Sequence, residues 1–143
     1  VSETLADCTV REARPADAVA LHDIYLRAYA HAFPWRALPI SLAADSAGEW
    51  MLVACRGERL LGFISSQRDH AFIHHLYVDP AFHGRGIGRA LLQACLAGLS
   101  HRPAALKCVL KNRAALAFYA RHGWTAAAAQ PADAQDYVLL HLN

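Results

Sequence analysis

The chain has 143 residues, 55% hydrophobic and 18% charged, enough apolar side chain to fill the core of one domain and too much for a disordered polymer. Its 14 Lys and Arg are scattered among 12 Asp and Glu for a formal net charge of +2, so no basic patch builds the field that a phosphate backbone requires, and nucleic acid is not expected as a partner. No apolar run approaches the ~18 residues of a membrane span, and residues 1–7 carry neither a basic start nor an apolar signal core, which predicts a cytoplasmic protein with no membrane partner. Cys8, Cys55, Cys95 and Cys108 lie far apart with no CxxC pair and read as reduced, buried thiols rather than disulfides or zinc ligands. Without repeat, heptad or linker, residues 1–143 read as a single domain.

An extended stretch over 9–14 leads into Pro15-Ala16-Asp17, after which Ala18, Leu21, Ile24, Tyr25, Ala28 and Ala32 recur at three- and four-residue spacing. That periodicity predicts an amphipathic helix with an acidic first turn, ending before Phe33-Pro34-Trp35. Residues up to Gly48 read as an irregular connection with a short helix around 41–45. Strands are predicted at 50–55, 60–67 and 72–78, joined by tight turns at 56–59 and 68–70, and must therefore be antiparallel neighbours. Asp79-Pro80 closes the third strand, because proline cannot donate into a ladder. A glycine-dense loop over 81–88 then opens a helix whose apolar stripe is Leu91, Leu92, Cys95, Leu96 and Leu99. Beyond Pro103 come a buried strand at 105–110, a helix at 113–122 closed by Gly123, a weak strand after Trp124 and a final strand at 136–142.

The sharpest local signal is Leu76-Tyr77-Val78-Asp79-Pro80-Ala81-Phe82-His83-Gly84-Arg85-Gly86-Ile87-Gly88-Arg89-Ala90-Leu91-Leu92. Its glycines let the backbone turn tightly and bring N–H groups to a ligand at the positive end of a helix, a seat suited to a diphosphate. A Walker loop would end Gly-Lys-Ser/Thr, whereas Gly88 precedes Arg89-Ala90; a dinucleotide fingerprint would have glycine at position 89, which is Arg89. The block instead resembles the GNAT superfamily of acyl-CoA-dependent N-acyltransferases, whose loop reads Gln/Arg-x-x-Gly-x-Gly/Ala after a Leu-Tyr-Val-x-Pro-like strand end, with His83 where Gln or Arg is usual. Residues 106–124 are similar to the family's second block, a strand followed by Asn-x-x-Ala-x-x-Phe-Tyr-x-x-x-Gly-Phe, with Asn112, Ala115, Phe118, Tyr119 and Gly123 in place and Trp124 for the final Phe.

The resemblance implies an α/β (α+β) domain built on a mixed, mostly antiparallel sheet of six to seven strands flanked by about four helices. It implies an N-acetyltransferase that moves an acetyl group from acetyl-CoA to a primary amine by direct attack in a ternary complex. The CoA diphosphate would lie on the main chain of His83, Gly84, Arg85, Gly86, Ile87, Gly88 and Arg89, and pantetheine along Leu76, Tyr77 and Val78, where the strand splays from its neighbour. Asn112 and Phe118 complete the cofactor set, although the Asn112 amide serves equally well as a helix cap. Tyr29, Trp35, His75 and Tyr137 fall where the family lines its acceptor pocket, and each reads equally as core.

Acetyl transfer needs a neutral amine, stabilisation of an oxyanion and a proton for the departing thiolate. The resemblance places Tyr119 beside the CoA sulfur, and a phenol is protonated at neutral pH and can supply that proton; the alternative is a half-buried helix tyrosine, with Phe118 on the inward stripe. For the base, strand alternation sends His74 and His75 to opposite faces, and counting back from the loop selects His74. A bulge would favour His75 instead, and a third reading keeps both structural, with a water wire as base. No histidine pair has helical metal-ligand spacing, and none is expected to hold a metal. A non-catalytic acyl-CoA-binding module and a plain nucleotide-binding domain remain the rival classes. The acceptor, whether small molecule or peptide, and the choice between monomer and homodimer stay open.

Overall fold

The computed structural model describes residues 8–143. Residues 1–7, on which the expectation of no signal segment partly rests, lie outside the described residues. The strands are β1 (Thr9–Glu12), β2 (Trp50–Arg56), β3 (Arg59–Gln67), β4 (Phe72–Val78), β5 (Ala104–Val109), β6 (Thr125–Ala126) and β7 (Tyr137–Leu142); the helices are α1 (Ala18–Ala32), α2 (Leu42–Asp45), α3 (Ile87–Gly98) and α4 (Arg113–Arg121). The strands form one seven-stranded sheet in the order β1-β2-β3-β4-β5-β7-β6. Neighbours are antiparallel except β4 and β5, which run parallel.

The sheet buries two apolar faces. On one, Leu91, Leu92 and Cys95 of α3 and Tyr119 of α4 pack over Leu61, Ile64, Ile73, Leu106 and Leu140. On the other, Leu21, Ile24 and Tyr25 of α1 and Leu42 of α2 cover Val53, Leu60 and Phe63. The expected strand and helix periods thus convert into two layers of helix on a sheet.

Local chemistry accounts for the element ends. Pro15–Asp17 forms a 3₁₀ turn ahead of α1, and the carboxylate of Asp17 turns back to accept from the Arg14 amide and from both terminal nitrogens of Arg11. Arg11 holds that carboxyl below its ordinary range. Gly57, at φ 60°, makes the β2–β3 turn. Cys55, Cys95 and Cys108 are buried and Cys8 half-buried, all as free thiols, as their spacing predicts. Among the described residues no helix is long and apolar enough to cross a membrane.

Candidate active site

The sheet is open at its one parallel seam. β4 and β5 are paired only at Phe72 with Ala105 and Ile73 with Leu106; beyond these, β4 stays with β3 and β5 stays with β7, so the two part toward the C-terminal end of β4. The Asp79 amide donates to Leu61 O on the β3 side, and alternation then turns Tyr77 to β3 while Leu76 and Val78 aim their N–H and C=O groups into the gap. His83 occupies the Val78 carbonyl, its Nε2 lying 3.0 Å away. Among the described residues the Val78 amide and both main-chain groups of Leu76 face no strand partner, an edge of the kind that an extended, peptide-like ligand can pair with.

The glycine loop lies at the mouth of this gap. Asp79 is sealed from solvent and accepts both terminal nitrogens of Arg27 at 2.7 and 2.9 Å, tying α1 to the end of β4; Arg27 keeps its carboxyl below the ordinary range. Gly84 and Gly86 take φ of 76° and 80°, a region that costs any side chain. Gly86 caps α3 without a side-chain bond, and the first helical bond runs from the Ala90 amide to Gly86 O. The amides of Ile87, Gly88 and Arg89 therefore lack intrahelical partners at the positive end of the helix. Gly88 also lies beside the Phe118 ring and Val78, where an added Cβ would make ordinary contacts at 3.5–3.7 Å.

The histidines do not diverge. Ser65 pairs with His75 while Ser66 pairs with Ile73, so His74 is an extra residue, a β-bulge that resets the alternation. His75 joins Tyr25, Phe63 and Tyr77 on the α1 face, and the His74 ring stacks on it at 3.8 Å and 25°. His75 Nδ1 lies 2.9 Å from Ser65 Oγ, and burial, with His74 alongside, lowers its pKa to about 4. His74 is half-exposed, and its Nδ1 sits 2.7 Å from Glu49 Oε2. Glu49, His74 and His75 each bring one ligating atom within 4.8 Å of the others, a spacing that by distance alone would admit an ion. Two nearly parallel imidazoles cannot both aim in-plane lone pairs at one ion, which makes the cluster a carboxylate–imidazole pair rather than a ligand set.

On the opposite face, α4 buries Tyr119 and leaves Phe118 only half-buried against α3, the reverse of the predicted inward stripe. Burial pushes the Tyr119 phenol above its ordinary pKa, so it holds its proton across the physiological range. Asn112 caps α4, its Oδ1 accepting from the Ala115 amide at 3.2 Å; of the two roles open to it, cap and ligand contact, the cap is the contact observed. Tyr29 packs on Tyr25, Phe33 and Tyr77. Trp35, 48% exposed, stands at the rim with Lys111 Nζ 5.4 Å over its ring, and Arg36 reaches Asp136 at 3.3 Å. The loop after α1 is thereby strapped to the turn after β5 and to the start of β7, where Tyr137 sits under Lys107. Sequence reasoning missed Glu49, Ser65, Tyr25 and the Arg27–Asp79 pair, whose roles come from contacts between elements distant in the chain.

An amide-rich helix start beside an open strand edge fits a diphosphate followed by a peptide-like arm. Residues 18–124 match the model of the acetyltransferase (GNAT) family. The chain belongs to the GNAT family. It is thus a GNAT acyltransferase, with acetyl-CoA as cosubstrate. It is 30% identical over 135 residues to the [ribosomal protein bS18]-alanine N-acetyltransferase of Escherichia coli K12, covering 83% of this chain and 82% of that one. The crystal structure of the ribosomal-protein-S18-alanine N-acetyltransferase from Escherichia coli superposes with a TM-score of 0.74 at 22% identity, covering 94% of this chain and 92% of that one. The PaiA N-acetyltransferase of Thermoplasma acidophilum in complex with coenzyme A gives 0.74 at 15%, covering 93% and 97%.

Proposed function

We propose that this GNAT protein acetylates the α-amine of a polypeptide, by direct attack of the amine on the thioester in a ternary complex. The observation that carries the reading is the parted β4–β5 seam, with the main-chain groups of Leu76 and the Val78 amide facing it and the first-turn amides of α3 at its mouth. Acetyl-CoA supplies the activated acyl group as a thioester. Ile87, Gly88 and Arg89 receive its diphosphate, and the β4 edge receives pantetheine as an added strand. The Leu76 amide, next to the bulge, donates to the carbonyl oxygen where charge develops.

The acceptor enters between the strapped loop and β7, past Trp35, Tyr29 and Tyr137. The choice of a polypeptide amine over a small one is supported by the 30% identity to an enzyme named for a ribosomal protein's alanine. His74 takes the proton from the amine, directly or through a water; it is the half-exposed member of the pair, whereas His75 is sealed and a poor base at a pKa of about 4. Tyr119 donates to the leaving thiolate. The test is thiol release from acetyl-CoA with an alanine-initiated peptide, its N-blocked form, a lysine-containing peptide and a panel of small amines. Turnover confined to the free N-terminus is the expected result. Turnover of small amines alone overturns the acceptor assignment, and CoA binding without turnover of any amine marks a non-catalytic module.

A further inference from the structure

Glu49 immediately precedes β2, yet its side chain is only 5% exposed. One carboxylate oxygen, Oε2, lies 2.7 Å from His74 Nδ1 and 3.5 Å from Gln67 Nε2. The other, Oε1, is buried without a hydrogen-bond partner among the described residues and sits 4.0 Å from His75 Nδ1. A carboxylate withdrawn from water with an oxygen unsatisfied is costly unless a cation forms against it. The contacting groups able to become cationic are the two imidazoles.

The contacts also decide which nitrogen bears hydrogen. An ionised carboxylate can only accept, so the short contact requires N–H at His74 Nδ1 and leaves the lone pair on Nε2. His75 cannot substitute, since its Nδ1 already faces Ser65 Oγ at 2.9 Å. The rings stack 3.8 Å apart, too close for both to carry a positive charge cheaply.

We propose that Glu49 is a positioning residue for acetyl transfer, holding His74 as its Nδ1–H tautomer so that Nε2 faces the acceptor amine or an intervening water. The inference rests on the assignment of His74 as base. When the amine nitrogen bonds to the acetyl carbon, its proton passes to Nε2 and the imidazole becomes imidazolium; the C–S bond then breaks and CoA leaves as the thiol, its sulfur protonated by Tyr119. Its Nδ1–H stays on Glu49, which takes no proton itself, and Nε2–H later returns its proton to water. Glu49 thus stabilises a charge present only after proton transfer begins.

The test compares the wild type with E49Q, E49D, H74A and E49Q/H74A by nitrogen NMR of the His74 ring and by steady-state kinetics. An amide can donate as well as accept, so E49Q should lose the Nδ1–H preference and gain the Nε2–H form. Its kcat should fall by about 10²-fold with KM for acetyl-CoA unchanged, E49D should keep the tautomer and recover part of the rate, and E49Q/H74A should be no slower than H74A. A folded E49Q with the wild-type tautomer and kcat, alongside a slow H74A, overturns the role of Glu49 and leaves His74 as base. Losses that add in the double variant overturn it as well, and wild-type kcat in H74A overturns the base assignment together with the inference.

Discussion

Gly86→Val asks whether the loop holds its ligand through the backbone. Gly86 sits at φ 80°, where a side chain costs about 1–2 kcal/mol and a β-branched one lies at the upper end. If valine is tolerated in place, Tm falls by about 3–8 °C for a domain of this size. Relief of the strain instead rotates the peptide that starts α3 and turns the Ile87, Gly88 and Arg89 amides off the diphosphate. Each charge-assisted bond is worth about 1.5–3 kcal/mol, so losing two weakens CoA by about 10²- to 10⁴-fold. Titration calorimetry with CoA, beside circular dichroism and a melt, separates affinity from folding. Gly84→Ala is the control: φ is 76° and a Cβ there meets nothing within 4 Å, so it carries the strain without being the residue that caps α3. A folded Gly86→Val protein with wild-type CoA affinity would refute the backbone seat.

Tyr119→Phe should leave acetyl-CoA affinity nearly unchanged and lower kcat by about 10²-fold, since only the proton donor is lost; equal single-turnover rates would make Tyr119 a packing residue. Arg27→Met strands the buried Asp79 carboxylate and should cost about 2 kcal/mol, a figure reduced for the 45% exposure of Arg27, and Arg27→Met/Asp79→Asn should recover part of it in urea melts. Stability should also fall on acidification from pH 6.5 toward 4. His75 is neutral in the fold at a pKa of about 4 but takes a proton near 6.5 when unfolded, so the unfolded chain binds more protons in that window, a loss of about 3 kcal/mol at its lower end. His75→Gln should flatten the upper part of that slope, and an unchanged slope would mean that the imidazole is solvated.

Elements whose signals lie within one stretch of chain are legible from the residues alone. β4 (Phe72–Val78) ends where Asp79-Pro80 predicts, and Gly84 and Gly86 take the positive φ that their loop needs. The histidine pair departs from simple alternation because its parity is set across the strand gap, by Ser65 and Ser66 of β3; nothing within residues 72–78 encodes an extra residue. Glu49 reads as a polar residue before a strand, and its partner His74 is 25 positions away. Tyr119 rather than Phe118 is sealed because it enters the core under the sheet beside Trp124, while Phe118 turns to the His122 ring at the helix end. Side-chain periodicity identifies a face, whereas how that face sits on the sheet decides which neighbour is sealed.

The parted seam also divides the molecule mechanically. β1 to β4 form one hydrogen-bonded leaf and β5, β7 and β6 another, stitched directly by two residue pairs and beneath by a shared apolar layer in which Ile73 meets Leu106. A ligand lying along β4 fills the place of the missing rungs, so its binding energy also becomes cohesion between leaves, about 2.7 kcal/mol at a hundredfold excess over Kd. The seam predicts that in the free protein amides of β5 and β7 exchange with solvent faster than those of β2 and β3. With CoA bound the two sets should converge on one slow rate, as if the sheet had gained an eighth strand.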